Sequence, residues 1–416
     1  MKKNVLIVHN YYQIAGGEDE VVANESKLLR DNGHKVILYT RHNSELNSMS
    51  LFQKLKLPFT TIYNPRTFKE IKNIIKNEKI DIVHVHNTLN LVSASVYYAA
   101  YKCGVPVVQT IHNYRLLCPK ATFYRNGSLC EDCIKQGLNC AVRHKCYRDS
   151  LVQTLICVIA TKYHRFRGIY AKINYICLTS FGRSKILSIN KNHKNNVINP
   201  DNVFVKPNFM QDVSGAVLDS SQRKAMLVYA GRLDESKGVD KLLIAWKEID
   251  KEIKKNKQKT ALGETRLIVC GEGPMSAWCH DFVRDNELNN VILKGKIDHS
   301  EVLELFKEAM ATVIPTQWYE GFPMSIAESY SVGTPVIGPD MGNVGSIVID
   351  GVTGIKYNPD ESDGLRRAIE RLLVCDNKDS LYKGAYQEFK EKYTQDLNYR
   401  ELVEIYSTVI DRNKRK

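Results

Sequence analysis

Along the chain, short runs of consecutive apolar residues alternate with stretches in which apolar positions recur every three or four residues. The first pattern suits strands buried on both faces, the second amphipathic helices. NVLIV (4–8), KVILY (35–39), DIVHV (81–85), PVVQT (106–110) and YICLT (175–179) are predicted strands. Between them, DEVVANESKLLRDNG is a predicted helix closed by Gly33, and NLVSASVYYAAYKCG one closed by Gly104. A second series runs AMLVYAG (225–231), RLIVCGEG (266–273), NVILKG (290–295), ATVIPT (311–316) and TPVIG (334–338), with helices such as GVDKLLIAWKEID and HSEVLELFKEA between. INPDNVFVKPNFMQDV (198–213), broken by Pro200 and Pro207, is the predicted linker. A chain of 416 residues exceeds one typical core. The expectation is α/β: two doubly wound, Rossmann-like domains with a cleft between them. The first covers 1–206 with a Cys-rich insert at 118–146, and the second covers 207–390. A terminal helix over 391–416 is expected to pack back on the N-terminal domain.

In such sheets ligands bind beyond the carboxyl ends of the strands, so the residues after each strand are the candidates. After AMLVYA, Arg232 lies in the loop, Lys237 is predicted to open the next helix, and Gly238 permits close backbone approach. A helix N-terminus attracts anions, whereas a lysine there opposes the macrodipole unless an anion compensates. Arg232 and Lys237 therefore suit a diphosphate. After ATVIPT comes YEGFPMSIAESYSVGTPVIG (319–338). Pro323 fits a first helical turn, placing Glu320 in the loop before it and Glu328 one or two turns in. Each carboxylate suits a vicinal diol, of a sugar or a ribose, and Gly321 and Phe322 offer backbone amides. On spacing alone the stretch reads equally as a helix N-terminal acid followed by a solvated glutamate. No G-x-G-x-x-G follows the first strand, where NYYQIAGGEDE holds only Gly16 and Gly17, and no P-loop is present.

Charge sharpens this picture. The net charge is +13, and residues 1–200 hold 29 Lys and Arg against 12 Asp and Glu, the remainder 30 against 34. Residues 151–200 contain eight basic residues and no acid. A basic half suits an anionic partner. No interleaving of aromatic and basic residues points to nucleic acid, which is not an expected partner. DSLVQTLICVIATKYHRFRGIYAK (149–172) reads equally as a seat on an anionic membrane carrying a lipid-linked acceptor and as a helix covering the sheet. No apolar run reaches the ~18 residues of a membrane span. The start, MKKNVLIVHNYYQ, reads as a strand without a cleavage site, so a cytoplasmic location is expected, with the inner face of the membrane left open.

Five of the eleven cysteines fall within 118–146. Cys130 and Cys133, in C-x2-C spacing, offer a structural zinc site with Cys140 and Cys146, with Cys118 as a competing ligand. Free thiols in an irregular loop are the other reading. His84 and His86 are read as alternating on a strand, hence on opposite faces and unable to chelate one ion together.

The succession GR-x4-KG, GEGP (271–274), PTQWYEGFPMSIAES, GTPVIG and DGVTGIKY, joined to DIVHVHN, GVPVVQTIHNYRLLCP and the Gly16-Gly17 loop, resembles the retaining GT-B glycosyltransferases of the large family four (glycosyl transferases group 1) over nearly the whole chain. That resemblance implies transfer of a sugar from a nucleotide-diphosphate donor to a glycan or polyprenyl-linked acceptor, with retention, in bacterial surface polysaccharide assembly. It implies that Arg232 and Lys237 neutralise the diphosphate and Glu328 holds the ribose. Glu320, with the Gly321 and Phe322 amides, grips the sugar, which His112 reaches across the cleft. Gly16 and Gly17 border phosphate and acceptor. No catalytic metal is expected. Met341-Gly342 replaces a paired-glycine turn and Ser329 the usual alanine, both expected near the diphosphate. A sugar-nucleotide epimerase and a catalytically silent scaffold subunit are the alternatives on this architecture.

Overall fold

The computed structural model describes residues 2–13, 16–192, 196–211, 217–256 and 264–415. The chain divides into two compact units: Met1–Phe123, Cys130–Pro207 and Asn398–Lys416 form one, and Tyr124–Leu129 with Asn208–Leu397 the other.

Up to Pro207 the strands are β1 (Asn4–Tyr11), β2 (Lys35–His42), β3 (Ile82–Val85), β4 (Val107–Ile111), a hairpin of β5 (Tyr124–Arg125) and β6 (Ser128–Leu129), β7 (Asn174–Cys177) and β8 (Val203–Val205). The first unit's sheet is parallel, in the order β2-β1-β3-β4-β7-β8. Its central strands are buried on both faces, which explains their unbroken apolar runs; Val5 to Val8 are fully buried. Leu402, Ile405, Tyr406 and Val409 of the terminal helix Gln395–Lys414 share this core with Val5, Ile7, Ile82 and Val108.

In the second unit the strands are β9 (Met226–Ala230), β10 (Arg266–Cys270), β11 (Val291–Gly295), β12 (Ala311–Val313), β13 (Val336–Pro339) and β14 (Gly354–Tyr357). They form a parallel sheet in the order β11-β10-β9-β12-β13-β14. Trp246, Leu242 and Leu243 of helix Val239–Asn256 pack on Leu227, Val269 and Ala311 of the sheet. In each sheet the winding reverses beside the first strand, between β1 and β3 and between β9 and β12. A crevice opens at such a point beyond the strand ends, and ligands bind there.

Several expectations change. The predicted linker contains β8, whose three residues complete the first sheet, and Lys206 after it is fully buried; residues 212 and 213 lie outside the described residues. The helix predicted from Asn90 begins at Ser95, because Ser93 takes φ +62 and breaks the turn. The hairpin β5–β6, inside the predicted insert, belongs to the second unit, as do residues 391–397.

Candidate active site

The second unit's reversal point gathers the loops after β9 and β12. Asp234 caps the turn Glu235–Lys237, accepting from the Lys237 amide at 3.2 Å and the Ser236 hydroxyl at 2.6 Å. Gly238 follows at φ +73, and the helix begins only at Val239. Lys237 therefore precedes the helix instead of opening it. The Gln317 amide donates to the Ser236 carbonyl at 2.8 Å, tying the two loops together. A Cβ on Gly238 would lie 2.0 Å from the Pro315 carbonyl oxygen. Gly238→Ala adds that clash to a left-handed backbone worth about 1–3 kcal/mol, so its urea midpoint should fall well below that of the wild type; an unchanged midpoint would mean the loops do not meet here.

Glu320 is buried, and its Oε1 accepts from Lys237 Nζ at 2.7 Å, Thr316 Oγ1 at 3.0 Å and Trp318 Nε1 at 3.0 Å. Asn343 donates from its side-chain amide to the carbonyls of Glu320 and Gly321 and fixes the loop. Arg232 is more than half exposed, with Nε 3.5 Å from Asp234. Pro323 is the N-cap residue of helix Met324–Ser331, and Glu328, on that helix, lies 3.3 Å from His299 Nε2. Phe322 turns its ring inward, edge-on to Tyr393, so only its backbone remains for a ligand. The GEGP stretch acts through backbone: a Cβ on Gly271 would lie 1.9 Å from the Gly231 carbonyl, and one on Gly273 2.3 Å from that of Leu233. These glycines let the loop after β10 pack on the Arg232 loop.

Ser329 departs from its expected place. It is fully buried and bonds Thr312 at 2.8 Å and the Thr334 carbonyl at 2.7 Å, joining its helix to the sheet. Met341 precedes helix Gly342–Ile347, and Gly342 takes φ +59 against Tyr319.

In the first unit, His86 and His112 follow β3 and β4. His86 Nδ1 meets His112 Nε2 at 2.9 Å, in a pocket lined also by Asn87, Thr88, Asn113 and Arg115. His84 and His86 face the same way, with ring centroids 4.3 Å apart. Residues two apart on a strand share a face, so the opposite-face expectation was wrong. Behind them Glu25 is buried, 3.6 Å from His86 Nε2 and 3.8 Å from His84 Nδ1. Among the described residues, Glu25, His84 and His86 alone bring three candidate ligand atoms within 4.8 Å of one another. A cation is already present: the buried Lys206 ammonium sits 2.8 Å from Glu25.

Burial would raise the Glu25 carboxyl, but the Lys206 ammonium holds it below its ordinary value. Burial also lowers His112 to about 3 and His84 to about 4, so both rings are neutral near pH 7. An anionic Glu25 favours the His86 tautomer with its proton on Nε2, which leaves Nδ1 to accept from His112. Local patterning had no access to this chain, whose members lie as much as 181 positions apart.

Gly16 is the N-cap residue of helix Gly17–Asp31, and its amide donates to Asp19 at 3.1 Å. Asp19 also meets His9 at 2.7 Å. Burial, then Asp19, pushes the neighbouring Glu18 up to about 8, so that it keeps its proton at neutral pH. This helix start thus carries its own acids.

In the Cys-rich segment, burial and then the thiols of Cys118, Cys146 and Cys140 push Cys133 up to about 12. Cys118 therefore lies near Cys133, as Cys140 and Cys146 do. Among the described residues, no three of these sulfurs lie within 4.8 Å of one another.

Residues 212–388 match the family model of glycosyl transferases group 1, and residues 15–139 that of glycosyltransferase family 4. Glycogen synthase of Mycobacterium tuberculosis is 33% identical over 36% of this chain, and the match spans about a third, 34%, of that relative's length. An uncharacterized 41.2 kDa protein in the cps region of Klebsiella pneumoniae is 21% identical over 86% of this chain and 87% of its own. Among solved structures, a glycosyltransferase from Rickettsia africae is similar with a TM-score of 0.68 at 16% identity, over 98% of this chain and 99% of that one. Anabaena HepE in complex with UDP-glucose is similar at 0.65 and 14% identity, over 98% and 100%. The fold is GT-B, and the two matched domains support a group 1 glycosyltransferase.

Proposed function

We propose that this group 1 glycosyltransferase takes a sugar from a nucleotide-diphosphate donor and passes it, with retention of configuration, to a glycan or polyprenyl-linked acceptor in surface polysaccharide assembly. The observation that carries the reading is the Lys237–Glu320 pair at the second unit's reversal point, with Arg232 in the same loop. The Lys237 ammonium rests on Glu320. A donor diphosphate draws that ammonium, with Arg232, onto the charge that grows as the sugar leaves. Among the described residues, the three bonds to the Glu320 carboxylate all fall on Oε1, leaving Oε2 for a sugar hydroxyl beside the Gly321 and Phe322 amides. Glu328 takes the ribose diol. His112, neutral and aligned by His86, suits a sugar hydroxyl, and the acids after Gly16 and Gly17 suit an acceptor hydroxyl better than a phosphate. The cps-region relative supports the polysaccharide setting, and the UDP-glucose complex of a protein of the same fold supports the donor class.

Thermal shift against a panel of nucleoside diphosphates and their sugars tests the proposal. Ligand at a hundred times its dissociation constant stabilises by about 2.7 kcal/mol. At least one nucleoside diphosphate should raise the melting temperature, and stabilisation by none would overturn the reading.

A further inference from the structure

Two helices of the first unit wear their apolar residues outward. In Leu51–Ile62 the exposed positions are Leu51, Phe52, Leu55 and Phe59, and Leu51 is 82% exposed. In Leu151–Phe166 they are Leu151, Val152, Leu155 and Ile159, continued by Tyr163 and by Phe166 at 88%. Both follow the spacing i, i+1, i+4, i+8, a single stripe on each helix. The two helices touch: His164 Nε2 lies 2.9 Å from the Ile62 carbonyl, and Tyr98 stands between Tyr63 and His164. Thr154, Cys157, Val158 and His164 on the opposite side of the second helix are buried, so the exposed stripe is no misplaced core face.

Along both helices the charge has one sign. The sequence holds no Asp or Glu between Glu45 and Glu70, nor between Asp149 and Asp201. Lys54, Lys56, Lys162 and Arg167 are exposed on or beside the helices, and the Lys56 ammonium lies 4.0 Å above the Phe52 ring. Exposed aliphatic and aromatic side chains on helices whose own charges are all cationic, with Asp149 just ahead of the second helix as the nearest acid in sequence, match a bilayer's anionic headgroups over its acyl region. A protein partner of mixed charge would leave this one-sided basic rim uncompensated. No described helix is long and apolar enough to cross a membrane, so the fit is to the surface.

We propose that helices Leu51–Ile62 and Leu151–Phe166 together dock the chain on an anionic lipid bilayer, with Phe52, Phe59, Leu155 and Ile159 entering the headgroup boundary. The inference stands on the first unit's surface and does not rest on the donor reading, though it brings a lipid-linked acceptor within reach.

The test is co-sedimentation of the full chain with vesicles of phosphatidylcholine alone or mixed with phosphatidylglycerol. Binding should require phosphatidylglycerol and weaken with salt. Phe52→Ser/Phe59→Ser and Leu155→Ser/Ile159→Ser should each weaken binding about tenfold or more, since burying a side chain of this size is worth at least one decade in affinity. Lys54→Gln/Lys56→Gln should flatten the salt dependence. All these positions are exposed, so melting temperatures and nucleoside diphosphate shifts should stay at the wild-type values. That separates failure of docking from failure of the donor site. Absence of binding to the mixed vesicles overturns the proposal, as does binding indifferent to the four apolar substitutions. A chain that self-associates, and that Phe52→Ser/Phe59→Ser converts to monomer, would assign the stripes to a second copy instead.

Discussion

Lys237→Ala should lower sugar transfer by about 10²–10³-fold, the usual loss when one pre-organised donor to a developing charge is removed. It should also weaken binding of the nucleoside diphosphate. Glu320→Ala should lower transfer on a similar scale, but with a different binding signature. Glu320 holds the Lys237 ammonium at 2.7 Å, so removing the acid frees the cation. Nucleoside diphosphate alone should then bind Glu320→Ala as tightly as the wild type or more so, while the complete nucleotide sugar binds less tightly. Calorimetric titration with both ligands distinguishes the two variants. Equal losses for diphosphate in both would mean that Glu320 only braces the loop, and unchanged transfer in both would remove the site assignment.

Glu25→Gln should strongly destabilise the first unit. Lys206 is wholly buried, with Glu25 at 2.8 Å, Asn398 at 3.1 Å and the Pro207 carbonyl at 3.4 Å. Removing one partner of such a pair strands a charge and costs about 3–5 kcal/mol, a large part of the ~5–15 kcal/mol of a typical domain. Urea unfolding should show this loss. Glu25→Leu/Lys206→Met removes both charges and should recover most of it, because a buried pair is often replaceable by apolar residues. The double variant also separates two roles. With the fold restored but no anion facing His86, the His86–His112 tautomer is no longer fixed, and transfer should stay depressed with a shifted pH profile. Full recovery of activity would reduce Glu25 to a structural part.

The two sheets were legible because central parallel strands leave long apolar runs, and β1, β4, β9 and β10 fall where such runs occur. β8 was missed because VFV is short and stands between two prolines, with only register against β7 to define it. Arg232, Lys237 and Glu320 could be placed because each follows a strand in a loop of ordered motifs, and Glu328 because it lies on the helix after such a loop. The Lys237–Glu320 contact itself spans 83 positions and needs the reversal of strand order to form. Ser329 was expected at the diphosphate, but an α-helix also has a face toward its own sheet, and Ser329 lies on that face. Leu51–Ile62 passed unnoticed for a related reason: an apolar stripe at helical spacing ordinarily marks a core, and only burial tells inside from outside.

The terminal helix has a consequence for synthesis. Tyr406 bonds His84 at 2.7 Å, and Leu402, Ile405 and Val409 complete the first unit's core. When Pro207 leaves the ribosome, that core lacks its last wall, and about 200 residues must still be made. At about 5–20 residues per second, the first sheet waits roughly 10–40 s with an apolar face uncovered. The second unit, continuous from Asn208 to Leu397 apart from one hairpin already made, has all its strands before the first is closed. The part of the chain translated first is therefore the last to become native, and its nascent form is a natural client for chaperones.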